Sequence, residues 1–475
     1  MSTATLKRET FVTSREMDFF SEKELITQTG HDPEEWPLVF LKETLDNALD
    51  ACDESGTAPS IEVIADEQSI TVRDNGPGLP KSTLQAALDF TVRASNREAY
   101  VAPDRGAQGN AIKTLLAMPF IIDEKAGKLI ITASGARHEL VCRADPITQR
   151  PVIHDDSTDS VEAGTTVRIE WGPMAEDEDV MWPFGSDDDP REGTRPGWPM
   201  ALRDCALRLL RGFSLFNPHL RLRADWFGDT LVDVQPTNTE WKKWKPSQPT
   251  NARWYEARHF ERLIAAYVSL DRQQDTSRTV AEFVAEFDGL SSSRKRKAVC
   301  DAVGLSRQTL EALTVDDGLN SDVIAQLLAA MKEQSKDVKP ARLGVIGKDH
   351  FKQRLCEFGC DEEQIEYRKL ARVDDGLPFV VETAFGWLGD DAPEMRHLFT
   401  GANWSAAIRN PFRSFGATGA GLDSQLSELS IGPREPVIFA MHLAHPRIEY
   451  TDRGKSAITI ESDGSESKDM TEDWK

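Results

Sequence analysis

Four polar side chains in ETLDNALDAC, Glu43, Asp46, Asn47 and Asp50, recur at helical spacing, while Leu45, Ala48, Leu49 and Cys52 fill the opposite positions. Residues one turn apart share a helix face. A carboxylate at Glu43 has the chemistry to take a proton from a water aimed at a terminal phosphate. The amide oxygen of Asn47 suits Mg²⁺, which takes one or two protein oxygens and completes its shell with phosphate and water. Further on, RDNGPGLP sets Asp74 ahead of Gly76 and Gly78. A carboxylate at a strand end can accept a hydrogen bond from an exocyclic amine such as that of adenine. Glycines let the backbone bend or come close to a ligand. RGAQGNAIKTLLAM places Gly106 and Gly109 before a helical pattern, where backbone N–H groups and the helix dipole favour phosphate. GTTVRIEW adds Gly164 and Thr165 on a strand. Taken singly, DNGPG is a tight turn. GNAIKT is not a P-loop, because Ile112 stands where that motif requires glycine.

These groups need elements to hold them. IEVIADEQSITVRD alternates and predicts a hairpin turning near Asp66 to Ser69; KLIITAS and TTVRIEW predict further strands. ALRDCALRLLRGFSLF reads as an amphipathic helix and LRLRADW as the strand after it. Ahead of that helix, residues 173–200 carry prolines, glycines and acids without periodicity, the pattern of a surface loop. FERLIAAYVSL, VAEFVAEF, KRKAVCDAVGL and SDVIAQLLAAMKEQ all carry helical periodicity. Strand-like segments return in PFVVETAFGWL and PVIFAMHLAHP. The expected organisation is an N-terminal arm (1–30), an α/β nucleotide domain (31–245), a helical module (250–340), a second α/β domain (341–460) and an acidic tail (461–475).

The chain has 475 residues and a formal net charge of −23, from 56 basic and 79 acidic side chains. Such a balance excludes a general polyanion binder, so any DNA contact must come from a local basic patch. The candidates are SSSRKRKAV, LRDCALRLLRG and WKKWKPS. Six cysteines show no paired CxxC spacing, which fits reduced thiols in a cytoplasmic protein. No apolar run is long enough to span a bilayer, so no membrane role is expected.

Together, the Glu43–Asn47–Asp50 helix, the Asp74–Gly76–Gly78 turn, the Gly106–Gly109 turn and Gly164–Thr165 resemble, in order and spacing, the GHKL ATPase superfamily. The resemblance implies an α+β protein: a Bergerat-type α/β sandwich ATPase domain, a small helix-two-turns-helix module and a C-terminal transducer-like domain. It implies ATP and Mg²⁺ as ligands. Glu43 then resembles the general base, Asn47 the Mg²⁺ ligand and Asp74 the adenine reader. Ser95, Asn96 and the run Gly106, Gln108, Gly109 and Asn110 resemble the lid over the phosphates, with Thr165 also at the nucleotide. A glutamate at position 43 argues for hydrolysis and against the histidine-kinase branch.

The wider chain is similar to the B subunit of DNA topoisomerase VI. NALDACDESGTAPSIEV, DNGPGLP, FNPHLRL, PTNARWYEARHFERL, TGANWSAAIRNPF and PVIFAMHLAHPRIEYTDRGKSAI carry that likeness. It implies that Lys455 touches the terminal phosphate, an ammonium that distinguishes the triphosphate state. It also implies an ATP-dependent homodimeric clamp acting on DNA with an A-type cleaving partner. Two departures stand out: Ala111 replaces a glycine of the family's lid, and only some twenty residues follow Lys455 where the family continues into a long helix. The alternative expectation is therefore an ATP-dependent dimerisation switch in a DNA repair or defence complex, without strand passage.

Overall fold

The computed structural model describes residues 16–90, 98–105, 111–145, 147–148, 150–171, 202–316, 318–414, 420–451 and 457–459. The described residues open with a 3-10 turn (Glu16–Phe20), followed by α1 (Glu22–Thr29) and α2 (Trp36–Ser55). Strands β1 (Ser60–Ala65) and β2 (Ser69–Asp74) form the expected hairpin, closed where Asp66 N–H donates to the Ser69 carbonyl. Then come α3 (Lys81–Leu88), α4 (Ala111–Ile122), β3 (Lys128–Ala133), β4 (Ala136–Ala144), β5 (Pro151–Asp159) and β6 (Thr165–Glu170). Helix α5 (Arg203–Phe216) leads into β7 (Arg221–Trp226) and β8 (Asp229–Val234). These strands make one eight-stranded sheet in the order β5-β4-β3-β6-β2-β1-β7-β8. Its neighbours are antiparallel except β1 and β7, which run parallel. Alternation sets the core face: Ile61, Val63 and Ala65 of β1 and Leu222, Ala224 and Trp226 of β7 are all buried.

Residues 16–29, within the stretch expected to form an arm, pack onto this domain. Phe20 is buried, and its ring packs tilted against Phe90 and edge-to-face against Phe120. The aromatic spacing of this stretch carries more weight than its polarity suggested.

The helical module follows, with α6 (Ala257–Gln274), α7 (Val280–Ala285), α8 (Ser293–Ala302), the short pair β9 (Thr314–Val315) and β10 (Gly318–Leu319), and α9 (Ser321–Gln334). Helix α7 starts with a capping box: the Thr279 side chain accepts from Glu282 N–H and Glu282 reaches back to Thr279 N–H. Tyr255, Phe260, Phe283 and Phe287 fill its centre.

The C-terminal part holds α10 (Lys348–Glu357), β11 (Ile365–Asp374), β12 (Leu377–Trp387), β13 (His397–Ala402), β14 (Ser405–Ala406), α11 (Leu422–Glu428) and β15 (Val437–Ala444). Its five strands run in the order β11-β12-β15-β13-β14. One hydrophobic core extends from Phe20 through the helical module to Ala444, and a smaller cluster around Phe412, Leu422 and Leu426 sits against the second sheet. Helix α5 joins the two sheets. Gly401 of β13 lies so close that a Cβ there would stand 2.6 Å from the Phe216 ring. All six cysteines are free thiols. Among the described residues, no helix is long and apolar enough to cross a membrane.

Candidate functional site

Helix α2 carries Pro37 in its first turn and ends on Gly56 in a left-handed cap, the asymmetry that favours a discrete helix. Leu38, Leu41, Leu45, Leu49 and Cys52 anchor it in the core. Its four polar residues meet different surroundings. Asn47 is exposed and Glu43 half-buried. Asp46 and Asp50 are buried, at 5% and 4% exposure. The stripe that looks continuous in sequence is therefore split: Glu43 and Asn47, one turn apart, face outward, and the two aspartates turn inward.

Asp74 ends β2 opposite Thr165 of β6. Its Oδ1 accepts from Gly76 N–H at 2.7 Å and from Thr165 N–H at 3.2 Å. Burial raises its carboxyl pKa above the usual value despite these donors. Gly164, at φ +81, makes the approach possible: a Cβ there would lie 1.9 Å from the Asp74 carbonyl oxygen. Asn75 fixes the turn by accepting from Ser60 N–H at 2.8 Å and donating to the Ala58 carbonyl at 3.0 Å. Gly76 sits against the Asp74 carboxylate and Cys52, and Gly78 against Ser134. Beneath the turn, burial pushes the Cys52 thiol up to about 12, so it packs as a neutral group.

Ser95, Asn96, Gly106, Gln108, Gly109, Asn110 and Lys455 lie outside the described residues. Helix α4 begins at Ala111, directly after that glycine-bearing run. Lys113 is buried, and its ammonium donates to the Asp89 carbonyl at 2.6 Å, which agrees with the rejection of a P-loop. The segment 98–105 is tied to the helical module. Arg262 pairs with Glu98 at 3.1 Å, the Tyr100 and Tyr267 hydroxyls stand 2.6 Å apart, and the Tyr255 hydroxyl accepts from Val101 N–H at 3.2 Å.

Behind α2 is an ion knot that periodicity did not reveal. Arg105 is fully enclosed and reaches Asp50 at 2.5 Å, Asp53 at 2.7 Å and the Asn217 side-chain oxygen at 2.5 Å. Lys243 stands 3.3 Å from Asp53, and His219 Nε2 is 2.7 Å from it. Burial opposes the charge on Asp53, but Arg105, Lys243 and His219 outweigh it and hold the carboxyl well below the ordinary range. Of the three lysines in WKKWKPS, Lys243 is withdrawn from any surface patch: it is buried in this knot, and burial with the Arg105 charge lowers its pKa, while Lys242 is exposed. SSSRKRKAV is also partly engaged within its own module. Lys295 donates to the Gly289 carbonyl at 2.8 Å and Lys297 pairs with Asp301. In LRDCALRLLRG, Arg211 lies over the Phe358 ring at 4.8 Å.

The donor set fits a magnesium nucleotide. Among the described residues, no group of three or more His, Cys, Asp or Glu side chains could hold a metal alone. One exposed amide at Asn47, with phosphate oxygens and water completing the shell, matches Mg²⁺ preferences. The glycines around Asp74 stand where a Cβ would meet neighbouring protein atoms, so they let the Asp74 turn, Ser134 and the Gly164 backbone close on one another. An open cavity of about 490 Å³ in the helical module, lined in part by Val268, Arg272 and Leu319, touches none of these residues.

No protein-family model matches the chain. Among curated proteins, the B subunit of type 2 DNA topoisomerase 6 from Archaeoglobus fulgidus is 22% identical over 439 residues, covering 89% of this chain and 66% of that protein. The same protein of Methanococcoides burtonii is 23% identical over 457 residues, covering 89% of this chain and 64% of its relative. The chain thus spans a little under two thirds of the length of these relatives. A solved structure, the ATPase region of Saccharomyces cerevisiae topoisomerase II, is a distant likeness, with a TM-score of 0.35 and 11% identity, covering 89% of this chain and 76% of that one. By sequence, the chain is similar over most of its length to the B subunit of type 2 DNA topoisomerase 6.

Proposed function

We propose that this chain binds ATP with Mg²⁺ between the outward face of α2 and the Asp74 turn, and hydrolyses it as an ATP-gated clamp protein. The observation that carries the reading is Asp74. It is a buried carboxylate at a strand end, held by backbone N–H groups and flanked by glycines, next in the fold to the helix that presents Glu43 and Asn47. Adenine's amino group is a donor of the kind such an oxygen accepts. Mg²⁺, bound through Asn47 and the phosphates, would neutralise charge on the transferring phosphoryl group. Glu43 takes the proton of the attacking water as the water oxygen bonds to the terminal phosphorus. The bond to the bridging oxygen breaks and ADP leaves with that electron pair.

The likeness to the B subunit of topoisomerase 6 supports the wider reading. Two copies associate when ATP binds, capture a DNA segment and work with an A-type partner that cleaves it. Glu43→Gln tests the site. It retains ATP, loses hydrolysis and accumulates dimer by size-exclusion chromatography with light scattering. Normal turnover by that variant overturns the general-base assignment. Relaxation of supercoiled plasmid by wild-type chain, ATP and a candidate A-type partner tests the partnership. Active ATP turnover without relaxation leaves a dimerisation switch in place of strand passage.

A further inference from the structure

The hairpin β13–β14 forms one edge of the C-terminal sheet and reaches α2. Its two turn residues, Asn403 and Trp404, both take left-handed backbone, at φ 48 and φ 64. A two-residue hairpin turn of this hand favours Asn and Gly. A tryptophan there is strained and persists only where its surroundings hold it. Trp404 is wholly buried. Its N–H donates to His442 Nε2 at 2.9 Å, its carbonyl accepts from the Asn217 side chain at 2.9 Å, and the Lys243 ammonium lies 4.9 Å from its ring.

This strained turn delivers its neighbours to two places. Asn403 donates to the Asp104 carbonyl at 3.3 Å, two residues before Gly106, and accepts from His445 N–H at 2.9 Å. Ser405 reaches α2, where its hydroxyl donates to Asp46 Oδ2 at 2.7 Å and accepts from the Lys42 ammonium at 2.8 Å. Lys42 and Asp46 also pair directly at 2.8 Å. Glu43 lies between them in sequence, so Ser405 clips the turn of α2 that carries it. Among the described residues, Asp46 Oδ1 is buried without a hydrogen-bond partner. Ser405 is therefore the one neutral donor holding this carboxylate among those residues, and a buried polar group left short of partners is sensitive to losing one.

We propose that Ser405 is a positioning residue for Glu43: through Lys42 and Asp46, its hydroxyl sets the helical turn that aims the Glu43 carboxylate, and the strained Asn403–Trp404 turn is what brings it there. The proposal rests on the reading of Glu43 as the general base. The C-terminal sheet thereby has a direct mechanical connection to hydrolysis, separate from nucleotide binding. A small misalignment of a catalytic group costs rate far more than affinity.

The test is steady-state ATP hydrolysis by the full chain, with nucleotide affinity measured in parallel by fluorescent ATP-analogue titration. Ser405→Ala lowers kcat about tenfold or more while KM and affinity stay within about twofold, and Ser405→Thr, which keeps the hydroxyl, recovers most of the rate. Circular dichroism checks each variant. If the alanine variant does not fold, Ser405→Cys, which keeps the volume and weakens the hydrogen bond, replaces it with the same expected split. Wild-type kcat in the alanine variant, a rise in KM alone, or equal losses in Ala and Thr overturns the positioning role. If the wild-type chain itself neither binds nor hydrolyses ATP, the functional reading falls, and the positioning role falls with it.

Discussion

Two largely enclosed carboxylates, Asp74 at the turn beside α2 and Asp53 in the last turns of α2 itself, show how the same residue type serves different ends. Asp74, on the open side, has backbone N–H donors and no cation among the described residues, and burial raises its pKa. Asp53, on the closed side, is surrounded by Arg105, Lys243 and His219, and its pKa is well below the ordinary range. A carboxylate left without a cation has capacity for a ligand's donor. One ringed by three cationic or polar partners is committed to the fold. Perturbed titration at both shows that perturbation alone does not mark a ligand site; the direction and the cause do.

The largest test breaks the closed side. Arg105→Met leaves Asp50 and Asp53 buried without their guanidinium, which costs about 3–5 kcal/mol. The urea midpoint should fall accordingly, and an unchanged midpoint would mean the knot contributes nothing.

Acid probes the same side more gradually. His350 and His442 are buried at the junction with the second sheet, and burial first, then a nearby arginine (Arg354 and Arg105 respectively), pushes each down to about 3. An unfolded histidine titrates near 6.5. Between these values the unfolded chain binds the extra protons, so stability is complete above pH ~6.5 and falls as pH drops through the window. By pH ~5 the loss is about 2 kcal/mol per imidazole. Asp53 adds to it only below pH ~4, where the unfolded carboxyl begins to protonate. Equal urea midpoints at neutral and mildly acid pH, at constant ionic strength, would contradict this.

On the open side, Gly164→Ala meets both a left-handed backbone and the Asp74 carbonyl. The backbone alone costs about 1–2 kcal/mol. Nucleotide affinity should fall with it, because the collision displaces the Asp74 turn. Asp74→Asn sharpens the contrast. Stability changes by less than about 1 kcal/mol, while ATP affinity drops about tenfold or more, as read by calorimetric titration. Asp53→Asn should show the reverse order of effects. At the small end, Arg272→Ala removes a pair with Glu311 in which both partners are more than half exposed. Solvent screens such a pair, and thermal melting should not distinguish the variant from the wild-type chain.

Several elements were readable because their signals are local. The hairpin of β1 and β2 follows from alternation and the Asp66–Ser69 turn, and α5 from its apolar period. The grouping of Glu43 and Asn47 follows from one helical turn. The inward turn of Asp46 and Asp50 was not readable, since it depends on what stands behind the helix. Asp46 meets Ser405, 359 residues away, and Arg105 meets Asn217, 112 residues away. Lys243 looked like part of a surface patch because three lysines sit within WKKWKPS, and local charge density carries no information on burial.

What the chain determined by itself was the chemistry at hand: carboxylates and an amide at helical spacing, a carboxylate at a strand end, and glycines where the backbone turns or comes close. These depend on residue type and on periods of two or four. The tertiary structure decided which acids remain free for that chemistry. Burial and long-range ion pairing are properties of segments brought together from distant parts of the chain, and only packing determines whether a given carboxylate meets solvent, a backbone N–H or an arginine.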